Sequence, residues 1–146
     1  MSQSQANPNL KVSRKEAVDA LWHKGILHWK LHKGQKEIHQ LVNNQDHPIV
    51  VVGASRQLGK TWALTVIAIE HCIQQPNIIV KFIAPKAKDI RRILAPAIRE
   101  ITADCPPDLK PKFNSRENVY AFPNGSEILL AGTDNGHAES IRGNRA

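Results

Sequence analysis

The sequence predicts an α/β fold, with a mostly parallel β-sheet and helices on its faces, and three features support this. An apolar, β-branched run at residues 49–52 lacks polar alternation, which is typical of a strand buried on both faces. Residues 60–75 then have a helical pattern, and residues 78–84 form a second β-rich run closed by Pro85. Strand, helix and strand in this order predict a βαβ unit with a right-handed crossover.

Two helices are predicted ahead of this unit, after a polar stretch at residues 1–12 that we expect to be flexible. Ser13 and Glu16 have the spacing of a capping box, which predicts a helix that ends near Gly25. Residues 26–32 alternate apolar and polar side chains, and we expect them to be extended or to form a loop.

A second short helix is predicted at residues 35–43, followed by a turn-forming break that ends at Pro48. The break divides the chain into a helical N-terminal segment, residues 13–47, and an α/β core, residues 48–146. With 146 residues in total, the chain is long enough to bury a hydrophobic core.

A further helix and a hairpin are predicted downstream of the βαβ unit. Residues 86–104 have an amphipathic pattern, and Pro96 inside it should kink or interrupt the helix. Residues 118–122 and 127–131 are β-rich and flank the turn-forming residues 123–126, which predicts a hairpin.

The charge of the chain suits a polyanionic partner such as DNA. The formal net charge is +7, and residues 1–36 carry seven Lys or Arg against two acidic residues, which leaves +5 in that quarter. A lysine-rich solvated surface is the alternative. Cys72 and Cys105 stand far apart without metal-ligand spacing, so we expect no disulfide framework and a reducing cytoplasm. No apolar run is long enough to cross a bilayer, so no membrane partner is expected.

The stretch between the first strand and the following helix has the composition of a phosphate-binding loop. Backbone N–H groups of such a loop and of the helix start attract phosphate. Lys60 is expected to contact the β- and γ-phosphates and Thr61 to coordinate Mg²⁺. The usual first glycine is replaced by Ala54, with Gly53 one residue early. The predicted nucleotide-binding residues of the loop are Ala54, Ser55, Arg56, Gln57, Leu58, Gly59, Lys60 and Thr61.

Two further side chains are candidates for nucleotide contacts. Arg56 lies inside the loop, where a guanidinium can stabilise γ-phosphate charge in the transition state of its own or a neighbouring subunit. The alternative is an arginine paired with a nearby carboxylate. Gln35 offers a donor and an acceptor that match N6 and N7 of adenine, but a lone glutamine at a helix start is more often a surface or capping residue.

The histidines and aromatic residues have weaker functional signals. The seven histidines show no metal-ligand spacing; His28 and His32 stand four apart, but in a segment that is not clearly helical. Trp22, Trp29 and Tyr120 lie among basic residues and could stack on bases, although core packing is the favoured interpretation.

A P-loop ATPase needs a carboxylate at the end of another strand to hold Mg²⁺, and usually a second one to activate water. The expected pattern is four apolar residues followed directly by Asp-Glu. The nearest candidate is the apolar run at residues 128–131, but Asp134 lies three residues beyond it, which favours a structural strand followed by a turn. We therefore expect the chain to stop before the second half of its active site and to hydrolyse ATP slowly or not at all. Rapid hydrolysis would point to Asp134 or Glu139.

Taken together, these motifs resemble the N-terminal ATPase domain of the large terminase subunit of tailed bacteriophages. Residues 55–61 resemble that family's phosphate loop, with its arginine and its departure at the first glycine. Residues 33–37 resemble its glutamine motif, and residues 140–144 are similar to the stretch ahead of its Walker B strand. The resemblance implies that Gln35 contacts adenine, that Arg56 and Lys60 are catalytic, and that the chain ends before Walker B.

The resemblance also implies a RecA-like P-loop core and a function. The chain would be the ATP-binding part of a motor that uses ATP and Mg²⁺ to move double-stranded DNA into a procapsid. Its implied partners are the portal protein and the small terminase subunit, with a homo-oligomeric ring formed at the procapsid in the host cytoplasm. A helicase-like ATPase and a nucleotide-binding or assembly fragment without turnover are the alternatives.

Overall fold

The computed structural model describes residues 13–44 and 59–132, apart from the side chain of Ala87. Four α-helices are present in this part of the chain: α1 (Arg14–Lys24), α2 (Lys33–Asn43), α3 (Lys60–Gln74) and α4 (Ala87–Ile101). The four strands are β1 (Ile79–Ala84), β2 (Lys112–Asn114), β3 (Val119–Ala121) and β4 (Glu127–Gly132). Single 3₁₀ turns lie at His28–Lys30 and Thr102–Asp104. The strand predicted at residues 49–52 lies outside the described residues.

The described strands form one mixed sheet in the order β1-β4-β3-β2. Strand β1 pairs with β4 in parallel, with Phe82 opposite Leu130. Strands β3 and β4 pair antiparallel and form the predicted hairpin, and β2 adds a third antiparallel strand that the sequence did not predict. The α/β class is therefore confirmed, but among the described strands only one of three pairings is parallel.

The predicted effect of Pro96 on α4 was wrong in one respect, because the helix continues from Ala87 to Ile101 without interruption. A proline removes one backbone N–H and leaves the carbonyl four residues earlier, here that of Arg92, without a helical partner. Both Pro96 and Arg92 are exposed, so water can solvate this carbonyl and the helix tolerates the proline.

The hydrophobic core lies between the sheet and helices α3 and α4, and the N-terminal segment contributes to it. Its fully buried side chains include Trp22, Leu27, Val66, Ile69, Ile101, Ile128 and Leu130. Trp22 is therefore a core residue, as favoured from the sequence, and its indole N–H donates to Asp104 at 3.0 Å. The two cysteines are buried free thiols, and burial raises the pKa of each to about 12.

Polar contacts also tie α1 and the 3₁₀ turn to the segment after α4. Lys30 and Asp104 form an ion pair with Nζ and Oδ2 2.9 Å apart. His23 Nε2 lies 2.9 Å from Oδ2 of Asp108, and the hydrogen bond between them raises the pKa of His23 and lowers that of Asp108. None of the helices that the structure describes is long and apolar enough to span a membrane.

Candidate nucleotide-binding site

The start of α3 is the described part of the predicted phosphate site. The helix begins at Lys60, and Gly59 precedes it in the left-handed conformation, with φ 74° and ψ 47°. Within the described part of the chain, no side chain caps this helix. The first backbone N–H groups of a helix have no partner inside it and carry partial positive charge. Such a helix start suits a phosphate group.

The Lys60 and Thr61 side chains of the Gly-Lys-Thr sequence stand at this helix start. Lys60 is half-buried, and Thr61 is exposed in the first helical turn. The backbone carbonyl of Thr61 accepts a hydrogen bond from the Thr65 hydroxyl at 2.6 Å, within the same helix. The remaining predicted loop residues lie outside the described part of the chain: Ala54, Ser55, Arg56, Gln57 and Leu58.

Gln35 lies next to Gly59, at the point where the phosphate-loop sequence meets α3. The contact brings together two segments that are distant in the sequence. The Gln35 side chain donates from Nε2 to the carbonyl oxygen of Gly59 at 3.0 Å. Gln35 is only 5% exposed, and its contact with the half-buried Gly59 is partly buried. The structure therefore brings the predicted glutamine motif to the end of the phosphate loop. Contact of Gln35 with adenine stays a prediction.

The same side chain caps α2, which explains why this helix begins two residues before its predicted start. The Gln35 side chain accepts from the backbone N–H of His32 at 3.0 Å, and Nδ1 of His32 accepts from the backbone N–H of Gln35 at 3.3 Å. This is a capping box with histidine at the N-cap. The capping alternative for Gln35 is thus confirmed, although the residue is buried rather than on the surface.

A cluster around Glu70 was missed by the sequence analysis. Glu70 accepts from the backbone N–H groups of Leu27 and His28 at 2.5 and 2.8 Å. Its two oxygens also lie near imidazole nitrogens, 2.6 Å from His39 Nε2 and 3.2 Å from His28 Nδ1. The signal available was that Glu70 is the single acidic residue of α3 and is flanked by apolar residues on its N-terminal side. Its histidine partners are 31 and 42 positions away, so spacing could not reveal them.

A cavity of about 280 Å³ lies at the opposite end of α3. It is lined by Ile73, Asp108, Leu109, Phe122, Pro123 and Asn124. At about 1.5 Å per helical residue, Ile73 is roughly 20 Å along the helix axis from Lys60. The cavity therefore belongs to a different part of the molecule from the predicted phosphate site.

We expect Gly59→Ala to destabilise the junction by about 1–3 kcal/mol, the usual cost of a strained left-handed residue. A Cβ at this position would lie 2.5 Å from Nε2 of Gln35, in addition to the strain from φ 74°. Urea denaturation measures the loss. In a Gln35→Ala background the clash with Nε2 is absent, so Gly59→Ala should lower the free energy of unfolding by less than it does in the wild type. An equal cost in both backgrounds would contradict the close contact.

An α/β fold in which a phosphate-loop sequence leads into a helix starting at Gly-Lys-Thr defines the class of P-loop nucleotide-binding proteins. Within this class, residues 51–146 match the family described as terminase large subunit, T4likevirus-type, N-terminal. The chain belongs to this family and corresponds to the N-terminal region of the large subunit, the DNA-packaging ATPase part. The resemblance stated from the motifs is thereby confirmed. A comparison with curated proteins finds no match.

Proposed function

We propose that this chain binds ATP with Mg²⁺ at the junction of residues 54–61 with α3, as the nucleotide site of a motor that moves double-stranded DNA into a procapsid. The observation that carries the proposal is that the family match, residues 51–146, includes a helix starting at Lys60 behind a left-handed Gly59. A loop that leads its backbone into an uncapped helix start suits the phosphates of a nucleotide.

The roles of the individual side chains follow from their chemistry. Lys60, the first residue of α3, would supply a cation to the β- and γ-phosphates. Thr61 is exposed at the helix start, where its hydroxyl fits the oxygen-donor chemistry that Mg²⁺ prefers. When bound, Mg²⁺ would neutralise phosphate charge. Arg56 is proposed as the catalytic arginine and Gln35 as the adenine contact.

The contact between Gln35 and Gly59 supports a link between the proposed adenine end of the site, at Gln35, and its proposed phosphate end, at residues 54–61. Nε2 of Gln35 donates to the carbonyl of the residue that immediately precedes Lys60. A base bound near Gln35 and phosphates bound by the loop would therefore both affect the position of the Gly59 backbone. This arrangement supports the assignment of residues 33–37 to the nucleotide site.

The proposed partners are double-stranded DNA, the portal protein and the small terminase subunit, with homo-oligomeric ring assembly at the procapsid in the host cytoplasm. The formal charge of +7 supports a polyanionic partner, because lysine and arginine side chains displace counterions from phosphates. Neutralising phosphates in this way makes affinity fall steeply with salt.

Nucleotide binding and turnover test this proposal together. Calorimetry with a non-hydrolysable ATP analogue should show saturable, Mg²⁺-dependent binding, and hydrolysis should be measured without DNA and with double- or single-stranded DNA. Stimulation by double-stranded DNA supports the packaging motor, whereas stimulation by single strands alone favours the helicase-like alternative. Because hydrolysis is expected to be slow, it should be followed over long incubations; binding without any detectable hydrolysis, even with DNA, favours the nucleotide-binding alternative, and absence of binding contradicts the proposal.

A further inference from the structure

Three side chains with metal-binding chemistry converge where the N-terminal segment packs on α3. His28 belongs to the first 3₁₀ turn, His39 to α2 and Glu70 to α3. One ligand atom from each lies within 4.8 Å of the others. Donors that share a zinc ion at about 2.0–2.2 Å are roughly 3–4 Å apart. We propose that His28, His39 and Glu70 form a binding site for a divalent transition-metal ion of the zinc type.

The donor set selects the class of metal. Two imidazole nitrogens and one carboxylate oxygen suit Zn²⁺ and related first-row ions. Mg²⁺ and Ca²⁺ prefer oxygen ligands, so the cluster is not a second site for the cation of ATP. The site is also separate in space, because Glu70 is about 15 Å along α3 from Lys60 at 1.5 Å per residue.

The carboxylate is held in place independently of the imidazoles. The backbone N–H groups of Leu27 and His28 both donate to Oε2 of Glu70. The Glu70 side chain is only 4% exposed, so its position is defined by packing as well as by these bonds. The imidazoles can therefore turn their nitrogens toward an ion while the carboxylate stays where it is. Preorganised ligands of this kind reduce the ordering that metal binding requires.

The cluster is reachable from solvent on one side. The His28 side chain is 48% exposed and that of His39 is 15% exposed. Their rings lie side by side, with centroids 4.8 Å apart. Three protein ligands with one exposed face leave a coordination position for water, which is the pattern of open zinc sites. The amide nitrogen of Asn43 also lies beside the His39 ring, 3.1 Å from Nε2 and 3.4 Å from Nδ1.

An ion here would be held by one nitrogen of each imidazole, in the neutral form that acts as a ligand, and by the Glu70 carboxylate. It would also join the 3₁₀ turn, α2 and α3 through one centre. Because the unfolded chain does not assemble these ligands, bound metal should raise the thermal midpoint.

Calorimetric titration of the chelator-treated full chain with Zn²⁺ tests the site, with Mg²⁺ titrated in parallel. We expect saturable binding of one zinc ion per chain, a higher melting temperature with zinc, and no comparable effect of Mg²⁺. His28→Ala keeps the backbone N–H that donates to Glu70 but removes an exposed ligand. This variant should weaken zinc binding by at least about tenfold, because even the loss of a group that only hydrogen-bonds to a metal ligand lowers affinity by about that factor.

His23→Ala is the matched control, since His23 is another exposed histidine hydrogen-bonded to a carboxylate, that of Asp108. It should leave zinc affinity unchanged. Glu70→Gln is the second test, because the amide oxygen can still accept from Leu27 and His28 while the negative ligand is lost. Equal zinc binding by the wild type, His28→Ala and folded Glu70→Gln would overturn the proposal and assign the ions to other histidines. Absence of saturable zinc binding would also overturn it.

Discussion

Lys60→Ala is expected to weaken binding of an ATP analogue by about 10- to 100-fold, because a hydrogen bond to a charged group contributes about 1.5–3 kcal/mol and each 1.4 kcal/mol is tenfold in affinity. Lys60 is the first residue of α3, where its ammonium group would add to the partial charge of the helix start. Removing the side chain leaves the backbone N–H groups in place, so some affinity should remain. Calorimetry with Mg²⁺ and the analogue measures the change.

Lys88→Ala is the charge-matched control for this experiment. Lys88 is an exposed lysine near the start of α4, and its loss changes the net charge by the same amount. This variant should bind the analogue as the wild type does. Circular dichroism confirms that both variants are folded. Unchanged affinity in folded Lys60→Ala, or an equal loss in both variants, would contradict the phosphate-loop assignment.

The second large effect is expected at Glu70. Glu70→Ala should lower the free energy of unfolding of the metal-free protein by about 1–3 kcal/mol, the cost of leaving a buried hydrogen-bond donor without its acceptor. The substitution removes the acceptor for the backbone N–H groups of Leu27 and His28, and that of Leu27 is buried. It also removes the partner of two imidazoles and leaves space inside the core. The contact between the N-terminal segment and α3 should loosen as a result.

Urea denaturation of metal-free protein measures this loss. Glu100→Ala is the matched control, because Glu100 is an exposed glutamate in α4 and a substitution there should change stability by no more than about 0.5 kcal/mol. Glu70→Gln should lose less than Glu70→Ala, since the amide oxygen still accepts the two backbone N–H groups. Equal small losses for Glu70→Ala and Glu100→Ala would show that the cluster does not stabilise the fold.

Elements that depend on short-range interactions were predicted well. The capping box of α1 is present, with Ser13 and Glu16 bonded at 3.0 and 3.1 Å, and Gly25 ends the helix in the left-handed conformation. Helix α3 and strand β1 were predicted within one residue of their bounds. Hydrophobic periodicity and capping residues act within a few positions, so they can be read along the chain.

Elements that depend on distant partners were missed. Strand β2 has only three residues, all exposed, and exists through its pairing with β3. Residues 28–30 were expected to be extended or to form a loop, but they form a 3₁₀ turn. Glu70 stabilises the start of this turn by accepting hydrogen bonds from the backbone N–H groups of Leu27 and His28. Neither element can be predicted from its neighbouring residues, because its partner, β3 or Glu70, is brought close only by the fold.

A nucleotide site could be predicted from the sequence, since a β-rich run, a stretch of small residues and Gly-Lys-Thr are neighbours along the chain. These residues also carried the family assignment that the match over residues 51–146 confirms. Tertiary structure alone decided where Gln35 and Glu70 lie. Gln35 reaches Gly59 across 24 positions, and Glu70 gathers His28 and His39 from two other elements. Burial explains both, because polar groups removed from water must find partners in whatever segments packing places beside them.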